Sequence, residues 1–216
     1  QDGTSLHELT LNADAAMYYA KEQGRNDYYY FDSAMNANAH QQFLLHKELQ
    51  HALERGELAL HYQPKYCARS GQVVGAEALL RWQHPEHGAV SPASFLPLAE
   101  KSRLIIPIGN WVIDEACRQM SAWRAAGHHD WSVAVNLSTI QLASPGLLEE
   151  VQGALARHRL EARHLTLEIT ESTAMQKAEE SLAILNRLAE LGLGISIDDF
   201  GTGYSSLLYL KRFPAN

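Results

Sequence analysis

An α/β fold with a mainly parallel sheet is the fold class that this sequence predicts. Beyond Gly56, segments with the two-residue alternation of strands take turns with segments of helical spacing that end at glycine. The order strand, helix, strand, helix, strand favours right-handed units in which helices connect parallel strands. The 216 residues are enough for one large domain, or for one domain with an additional fragment.

The composition excludes several classes of protein. Hydrophobic residues make up 46% of the chain and charged residues 20%, which is typical of a globular protein and not of a disordered one. The net charge of −7 argues against binding of DNA or RNA polymers, because neutralising phosphates needs an excess of Lys and Arg. No apolar run approaches the roughly 18 residues that span a bilayer. We therefore expect a cytoplasmic protein without a membrane segment, although upstream domains of a longer parent could tether it to a membrane.

The N-terminal residues are predicted to form a separate piece, residues 1–32. Asn12–Lys21 contains strong helix formers, Gly24 follows as a stop, and Tyr28–Phe31 has the composition of a strand. Residues 33–40 are small and polar, which is typical of a linker. We therefore place the main domain at residues 41–216.

The main domain shows a regular succession of strands and helices. Its first two strands are joined by a turn at Ser70-Gly71 and are expected to form a hairpin. The predicted strands are Leu58–Tyr66, Val73–Trp82, Ser132–Leu137, Leu165–Thr170 and Gly194–Asp198. The predicted helices are His40–Arg55, Asn110–Ala126, one opened by Ser144-Pro145 as N-cap and first turn, and Glu179–Leu191.

Polar side chains interrupt these strands near their C-terminal ends. Because side chains alternate between the two faces of a strand, Glu168 points away from the apolar face formed by Leu165 and Leu167. Asn136 and Asp198 stand in the same phase in their own strands. In a (β/α) barrel the catalytic groups lie at this end of the strands. We therefore expect a cluster at that end, formed by Glu77, Asn136, Glu168, Asp198 and Asp199.

The cluster predicts a divalent-metal site. Several carboxylates at one place repel one another unless a positive charge lies between them. Oxygen-rich ligation selects hard ions such as Mg²⁺ or Mn²⁺. The alternative is that each acid caps a strand end or pairs with a basic residue. That alternative suffices for any one acid, and it explains less well why several share one phase.

The segment Glu77-Ala78-Leu79-Leu80-Arg81-Trp82 resembles the signature of the EAL family of cyclic-di-GMP phosphodiesterases. Similarity to that family runs from about His40 to the last residue, and includes Tyr62-Gln63-Pro64, Asn136-Leu137-Ser138, Leu167 to Glu171 and Asp198 to Leu207. The N-terminal piece is similar to the end of a GGDEF domain, the cyclic-di-GMP synthase module, without its signature loop. We therefore expect a tandem GGDEF–EAL protein whose GGDEF remnant has no synthase activity.

The resemblance implies a fold and a reaction. The fold is a (β/α)₈ TIM-like barrel of EAL type, with a first strand antiparallel to the second. The reaction is hydrolysis of cyclic-di-GMP to linear pGpG, with two Mg²⁺ or Mn²⁺ ions activating water. The implied ligands of one ion are Glu77, Asn136, Glu168 and Asp198, and Asp199 is the implied ligand of the second.

The resemblance also assigns roles around the metal site. Arg81 is expected to contact a phosphate of the substrate, because its planar guanidinium fork suits that task. Gln63 and Leu79 are expected to contact the substrate as well. Glu171 is expected to hold the loop 199–206 in place, which links ligand binding to an EAL–EAL homodimer.

The family's pattern extends beyond Asn216. A lysine-bearing strand, a further metal-binding glutamate and the closing strands of the barrel are absent from these residues. We therefore expect the barrel to be incomplete at its C-terminus. The chain alone is expected to be weakly active or inactive, and prone to aggregate or dependent on a partner chain. The parent protein is expected to be an active enzyme; the alternatives are a catalytically inactive cyclic-di-GMP sensor and an interaction fragment.

Overall fold

The structure, a computed structural model, describes residues 5–22, 28, 30–175, 178–199 and 212–214. It divides the chain into two compact units, Gln1–His51 and Ala52–Asn216. Within the described residues, no helix combines the length and the hydropathy that a membrane crossing would need.

Two helices make up most of the described part of the first unit. Helix α1 covers Leu6–Glu22 and helix α2 covers Ser33–Ala52, so the segment predicted as a linker, residues 33–40, is helical instead. The helix includes these residues because three alanines and a methionine, all strong helix formers, outweigh the polar residues between them. Their role as a linker stays a prediction. The placement of the domain boundary itself stays a prediction.

The predicted aromatic strand is wrong for its described members. Tyr28, Tyr30 and Phe31 lie outside any strand, and Tyr29 is outside the described residues. A strand needs a neighbour for its backbone hydrogen bonds, and no described residue of the first unit belongs to a strand. Instead, the exposed rings of Tyr28 and Tyr30 meet edge to face, with centroids 5.7 Å apart.

The second unit is built on one mixed sheet. Its strands are β1 (Leu58–Tyr66), β2 (Val73–His84), β3 (Gly88–Val90), β4 (Ser132–Asn136), β5 (Leu165–Thr170) and β6 (Gly194–Asp198). The order is β1-β2-β4-β5-β6, with β3 paired to β2. Strands β1 and β2 are antiparallel, as predicted, and β2, β4, β5 and β6 are parallel. The five predicted strands are thus confirmed, whereas β3 was not predicted.

The helices of the second unit agree with the predictions in part. They are α3 (Pro92–Lys101), α4 (Ile105–Ala125), α5 (Thr139–Leu142), α6 (Leu147–Arg157), α7 (Glu171–Met175) and α8 (Ala178–Glu190), with a 3₁₀ turn at Ala162–His164. Helix α4 begins five residues before the predicted Asn110, because Pro107 is tolerated in a first turn and Ile105 and Ile108 are buried. Helix α6 begins after Gly146 and not at Ser144-Pro145, because the Ser144 backbone N–H donates to Gln141 as part of the turn that ends α5.

The main core lies between the sheet and the helices. Helix α4 packs against β4, α7 against β5 and α8 against β6. The sheet contributes fully buried branched side chains to this core: Val133, Val135, Leu165, Leu167, Ile169 and Ile195. Because these positions alternate with the polar ones, the opposite face of the same strands carries the predicted site.

Candidate active site

The sheet register brings the predicted metal ligands onto one face. Asn136 of β4 lies beside Glu168 of β5, and Glu168 lies beside Ser196 of β6. Asp198 stands two residues beyond Ser196, and is therefore on the same face and nearer the C-terminal edge. Glu77 of β2 lies beside Ala134, two residues before Asn136. The four residues thus follow one another along the sheet. Asn136, Glu168 and Asp198 lie near the C-terminal ends of their strands, and Glu77 lies within β2.

Glu77 and Asn136 are in direct contact. The Asn136 amide nitrogen Nδ2 donates to Glu77 Oε1 at 2.7 Å. A carboxylate can only accept hydrogen bonds, so the amide presents its NH₂ group to Glu77. Asn136 would have to turn its side chain to offer its oxygen to a cation. Gln63 is the cross-strand partner of Glu77 in β1 and is exposed.

Glu168 binds a lysine that was not among the predicted site residues. Lys65 of β1 donates from Nζ to Glu168 Oε1 at 2.5 Å. The Glu168 side chain is 7% exposed and the Lys65 side chain 44% exposed, so a buried carboxylate is neutralised by a half-exposed ammonium group. Lys65 could have been found from its spacing, because it stands two residues after Gln63 in the same strand and therefore shares its face.

This ion pair also shows that the sheet is curled. Strands β1 and β5 are three steps apart in the strand order, which amounts to about 14 Å in a flat sheet. A lysine and a glutamate side chain do not bridge that distance between flat strands. The contact therefore requires the two strands to approach each other across the concave face, as in the wall of a barrel.

Gly75 is the cross-strand partner of Lys65, next to a register shift of the β1–β2 pairing between Lys65 and Tyr66. A Cβ atom at Gly75 would lie 2.0 Å from the backbone oxygen of Ser132 in β4. A side chain at this position would push β2 and β4 apart. Glycine is therefore required by the close approach of two backbones beneath the site.

Asp198 and Asp199 end β6. The Asp199 backbone N–H donates to Asp198 Oδ1 at 2.9 Å, and both residues are exposed. Asp199 has φ of 54°, a left-handed conformation that aspartate adopts more readily than most residues. The alternation of the strand ends at this residue. The following loop, residues 200–211, lies outside the described residues, and so does the predicted contact of Glu171 with that loop.

Arg81, Leu79 and Asn136 border a pocket of about 160 Å³ at the C-terminal ends of β2 and β4. The rest of its lining is largely apolar and comes mainly from α3 and α4, including Pro92, Leu96, Ile105, Ile108 and Val112. Arg81 is half-buried, and its Nη1 donates to the backbone oxygen of Leu80 at 2.9 Å. Two of the three residues predicted to bind substrate thus line one pocket, whereas Gln63 lies outside it.

A chain of hydroxyl groups connects the segments that follow β4 and β5. Thr173 of α7 lies 3.0 Å from Thr139 of α5, and Thr170 donates to Thr173 at 3.0 Å. Glu171, between them in sequence, is 1% exposed. These threonines were not predicted from the sequence. Thr170 and Thr173 are three residues apart where β5 ends and α7 begins, and this spacing is the signal that could have revealed them.

A capping box fixes the start of α5, directly after Asn136. The Ser138 side chain accepts from the Gln141 backbone, and the Gln141 side chain accepts from the Ser138 backbone. Gln141 is buried and packs against Gly109 of α4, where a Cβ atom would lie 1.7 Å from Gln141 Nε2. The loop that carries Asn136 into the site is therefore held by buried contacts.

The donor set suits a hard divalent cation, since it consists of carboxylate and amide oxygens. In the described part of the chain, however, no three His, Cys, Asp or Glu side chains lie close enough together to hold a metal ion. Asn136 and Lys65 satisfy Glu77 and Glu168 from within the protein. Occupation by a cation would require these two internal contacts to open.

Residues 46–216 match the EAL domain family. The chain belongs to this family. The match includes every predicted site residue and leaves the N-terminal piece outside.

Two curated relatives of this EAL chain are cyclic-di-GMP enzymes by name. It is 62% identical over 215 residues to the bifunctional diguanylate cyclase/cyclic di-GMP phosphodiesterase MucR of Pseudomonas aeruginosa, covering 100% of this chain and 31% of MucR. It is 40% identical over 214 residues to the cyclic di-GMP phosphodiesterase PdeR of Escherichia coli, covering 99% of this chain and 32% of PdeR. The chain thus spans about a third of the length of these relatives.

Solved EAL structures have the same fold. The PaMucR phosphodiesterase in complex with c-di-GMP is 61% identical, with a TM-score of 0.78 over 80% of this chain and 70% of that one. The FimX EAL domain is 31% identical, with a TM-score of 0.73 over 79% of this chain and 68% of that one. The predicted TIM-like fold of EAL type and the membership in a phosphodiesterase family are confirmed. Within the described residues the sheet is open, with β1 and β6 at its ends.

Proposed function

We propose that the full-length protein hydrolyses cyclic-di-GMP to linear pGpG with the help of Mg²⁺ or Mn²⁺. The observation that carries this proposal is the arrangement of Glu77, Asn136, Glu168 and Asp198 on one face, next to a pocket bordered by Arg81. Catalytic groups of barrel enzymes lie at this end of the strands. The names of MucR and PdeR supply the substrate class.

In this proposal the acids and the amide hold two cations. Glu77, Asn136, Glu168 and Asp198 bind one ion and Asp199 binds the second. Cations bound there supply a lowered pKa for the attacking water and stabilise charge on the scissile phosphate. The water oxygen forms a new bond to phosphorus as the ester bond to one ribose oxygen breaks. One water proton ends on that ribose oxygen as its hydroxyl group and the other is released to solvent, which leaves the linear dinucleotide with a terminal phosphate.

The remaining site residues position the substrate. The Arg81 guanidinium binds a phosphate oxygen through its fork of donors. Leu79 and the apolar wall of the neighbouring pocket pack against part of a guanine base, since ligand pockets are mainly apolar with a few oriented polar groups. Gln63 hydrogen-bonds the substrate from the β1 side of Glu77. Glu171 holds the loop 199–206 from the start of α7.

The surroundings of the domain belong to the same proposal. The N-terminal piece, residues 1–32, is the remnant of a GGDEF domain, so that the parent is a tandem GGDEF–EAL protein. The EAL domains form a homodimer, and the protein works in the cytoplasm. The 62% identity to MucR, which is bifunctional by name, extends over the whole of this chain, residues 1–32 included, and supports the tandem arrangement.

A second candidate function is a sensor that binds cyclic-di-GMP without cleaving it. The Lys65–Glu168 pair favours this candidate, because one predicted metal ligand is already neutralised by a side chain. A sensor would bind the nucleotide equally well in EDTA and leave it intact. An enzyme would form pGpG only when a divalent cation is added.

The deciding experiment is a chromatographic assay of pGpG formation by the full-length protein, with Mg²⁺, with Mn²⁺ and with EDTA. Glu77→Gln keeps the size of the side chain and removes a ligand charge, so activity should fall by at least about 100-fold. Glu149→Gln makes the same change at an exposed position of α6 and should retain activity.

Two results would contradict the proposal. Full activity of Glu77→Gln would reject the metal-ligand assignment. Nucleotide binding in EDTA, together with no hydrolysis by the wild-type protein under any metal condition, would favour the sensor.

A further inference from the structure

We propose that Lys65 is a built-in counter-ion that competes with the divalent cation for Glu168 and thereby lowers the metal affinity of the site. The inference rests on the proposed function, since it concerns a ligand of the proposed metal site. It assigns a role to a residue of β1 that lies outside the motifs by which the sequence was recognised.

The contact itself is specific. Lys65 Nζ lies 2.5 Å from Glu168 Oε1, and the two residues are 103 positions apart in the chain. Lys65 reaches Glu168 across the concave face, and its neighbour in β2 is Gly75, which presents no side chain beside it. The pair therefore joins the first strand to the fifth across the place where the proposed ligands converge.

Burial of Glu168 explains why a cation is held there. Its side chain is 7% exposed, and a buried carboxylate without a positive partner is strongly unfavourable. In the metal-free protein the Lys65 ammonium group supplies that partner. The energetic cost that a buried, unpaired acid would impose on the metal-free state is thus avoided.

The Lys65 ammonium group is suited to being displaced from Glu168 by a metal ion. The Lys65 side chain is 44% exposed, and its charge sits at the end of a flexible four-carbon chain. A divalent cation at Glu168 and an ammonium group at the same oxygen would repel each other. Binding of the metal must therefore displace Lys65 toward solvent, and the free energy of breaking the ion pair is subtracted from the free energy of metal binding.

Binding of the metal ion also requires the Asn136 side chain to turn. In the structure its NH₂ group faces Glu77, and metal ligation needs its oxygen. The metal-free site is thus closed by two internal contacts, and only the Lys65 contact brings a positive charge to the proposed ligands. Removal of Lys65 should accordingly change metal affinity more than any rearrangement of neutral groups.

The test is isothermal titration calorimetry, in which full-length, metal-free protein is titrated with Mn²⁺ alone. Lys65→Met keeps most of the side-chain length without the charge and should bind Mn²⁺ about tenfold more tightly, which is the size expected for a charge-assisted hydrogen bond. The same variant should melt at a lower temperature without metal, because Glu168 is left unpaired. Lys65→Arg retains a cation and should bind Mn²⁺ like the wild type.

Lys101→Met is the matched control, because it removes the same charge at the end of α3 and not from the sheet. It should leave the Mn²⁺ affinity unchanged. Equal tightening in Lys101→Met and Lys65→Met would attribute the effect to net charge and overturn the inference. Unchanged affinity in Lys65→Met, with normal Mn²⁺ binding by the wild type, would overturn it while the proposed function stands. Absence of Mn²⁺ binding in every variant would overturn both.

Discussion

The two faces of the central sheet differ sharply although they share the same strands. The face toward the helices carries branched apolar side chains such as Val135, Leu167 and Ile195, all essentially inaccessible to solvent. The concave face carries Asn136 and Glu168 one residue away, together with the Lys65 that crosses to Glu168. Residues that stabilise the core and residues of the proposed site therefore alternate along each strand. Neighbouring substitutions should affect one or the other.

The largest expected effect on stability is that of Leu167→Ala. Leu167 is 0% exposed, and truncating such a leucine lowers the free energy of unfolding by about 2–5 kcal/mol. Urea unfolding of the full-length protein measures the loss, and activity should be compared at equal amounts of folded protein. Glu168→Gln, the adjacent substitution, should abolish activity with a smaller loss of stability.

The two variants together test whether the two faces of the sheet have different roles. If Leu167→Ala were as stable as the wild type, the helix-side face would not be the source of stability. If Glu168→Gln kept full activity, the concave face would not be the source of chemistry.

The buried Cys117 thiol of α4 tests whether the core between the sheet and the helices excludes charge. Burial, and to a lesser degree the nearby Asp114 carboxylate, raise the pKa of Cys117 from 9.0 to about 12. A raised folded-state pKa means that this contribution to stability is complete below pH 9 and is lost as the pH rises toward 12. The slope it adds is at most about 1.4 kcal/mol per pH unit. Cys117→Ala should remove this slope in urea titrations across the same pH window.

Cys67→Ala is the control for the thiol experiment. Hydrogen bonds from Ser70 lower the pKa of the Cys67 thiol, so its contribution has the opposite sign and grows with rising pH. A steeper alkaline loss in Cys117→Ala than in the wild type would contradict the predicted exclusion of charge.

The smallest expected effect on stability concerns the threonine hydroxyl groups where β5 ends and α5 and α7 begin. Thr173→Val removes the central hydroxyl between Thr139 and Thr170 and should cost about 1 kcal/mol. Thr139→Val removes only a terminal member of the chain and should cost less. Thermal melts of both variants measure the difference. Equal losses would show that the hydroxyl groups do not act as a connected chain.

The sequence predicted the faces of the sheet better than the contacts within them. The strand β5 was found because Leu165, Leu167 and Ile169 alternate with polar residues, and that alternation depends only on local geometry. The contact of Lys65 with Glu168 depends on how far the sheet curls, which spacing along one strand does not contain. The helical segment 33–40 was missed because polar character was weighted above the helix propensity of alanine.

The left-handed backbone of Asp199 narrows the set of residues that evolution can place there. In a continuing strand, residue 199 would face the helices, where a carboxylate would be buried among apolar side chains. The turn takes Asp199 out of the alternation and leaves it exposed, so two consecutive acids can end β6 without charging the core. Branched residues do not accept this backbone without strain. Despite its exposure, the position therefore tolerates few substitutions besides asparagine and glycine.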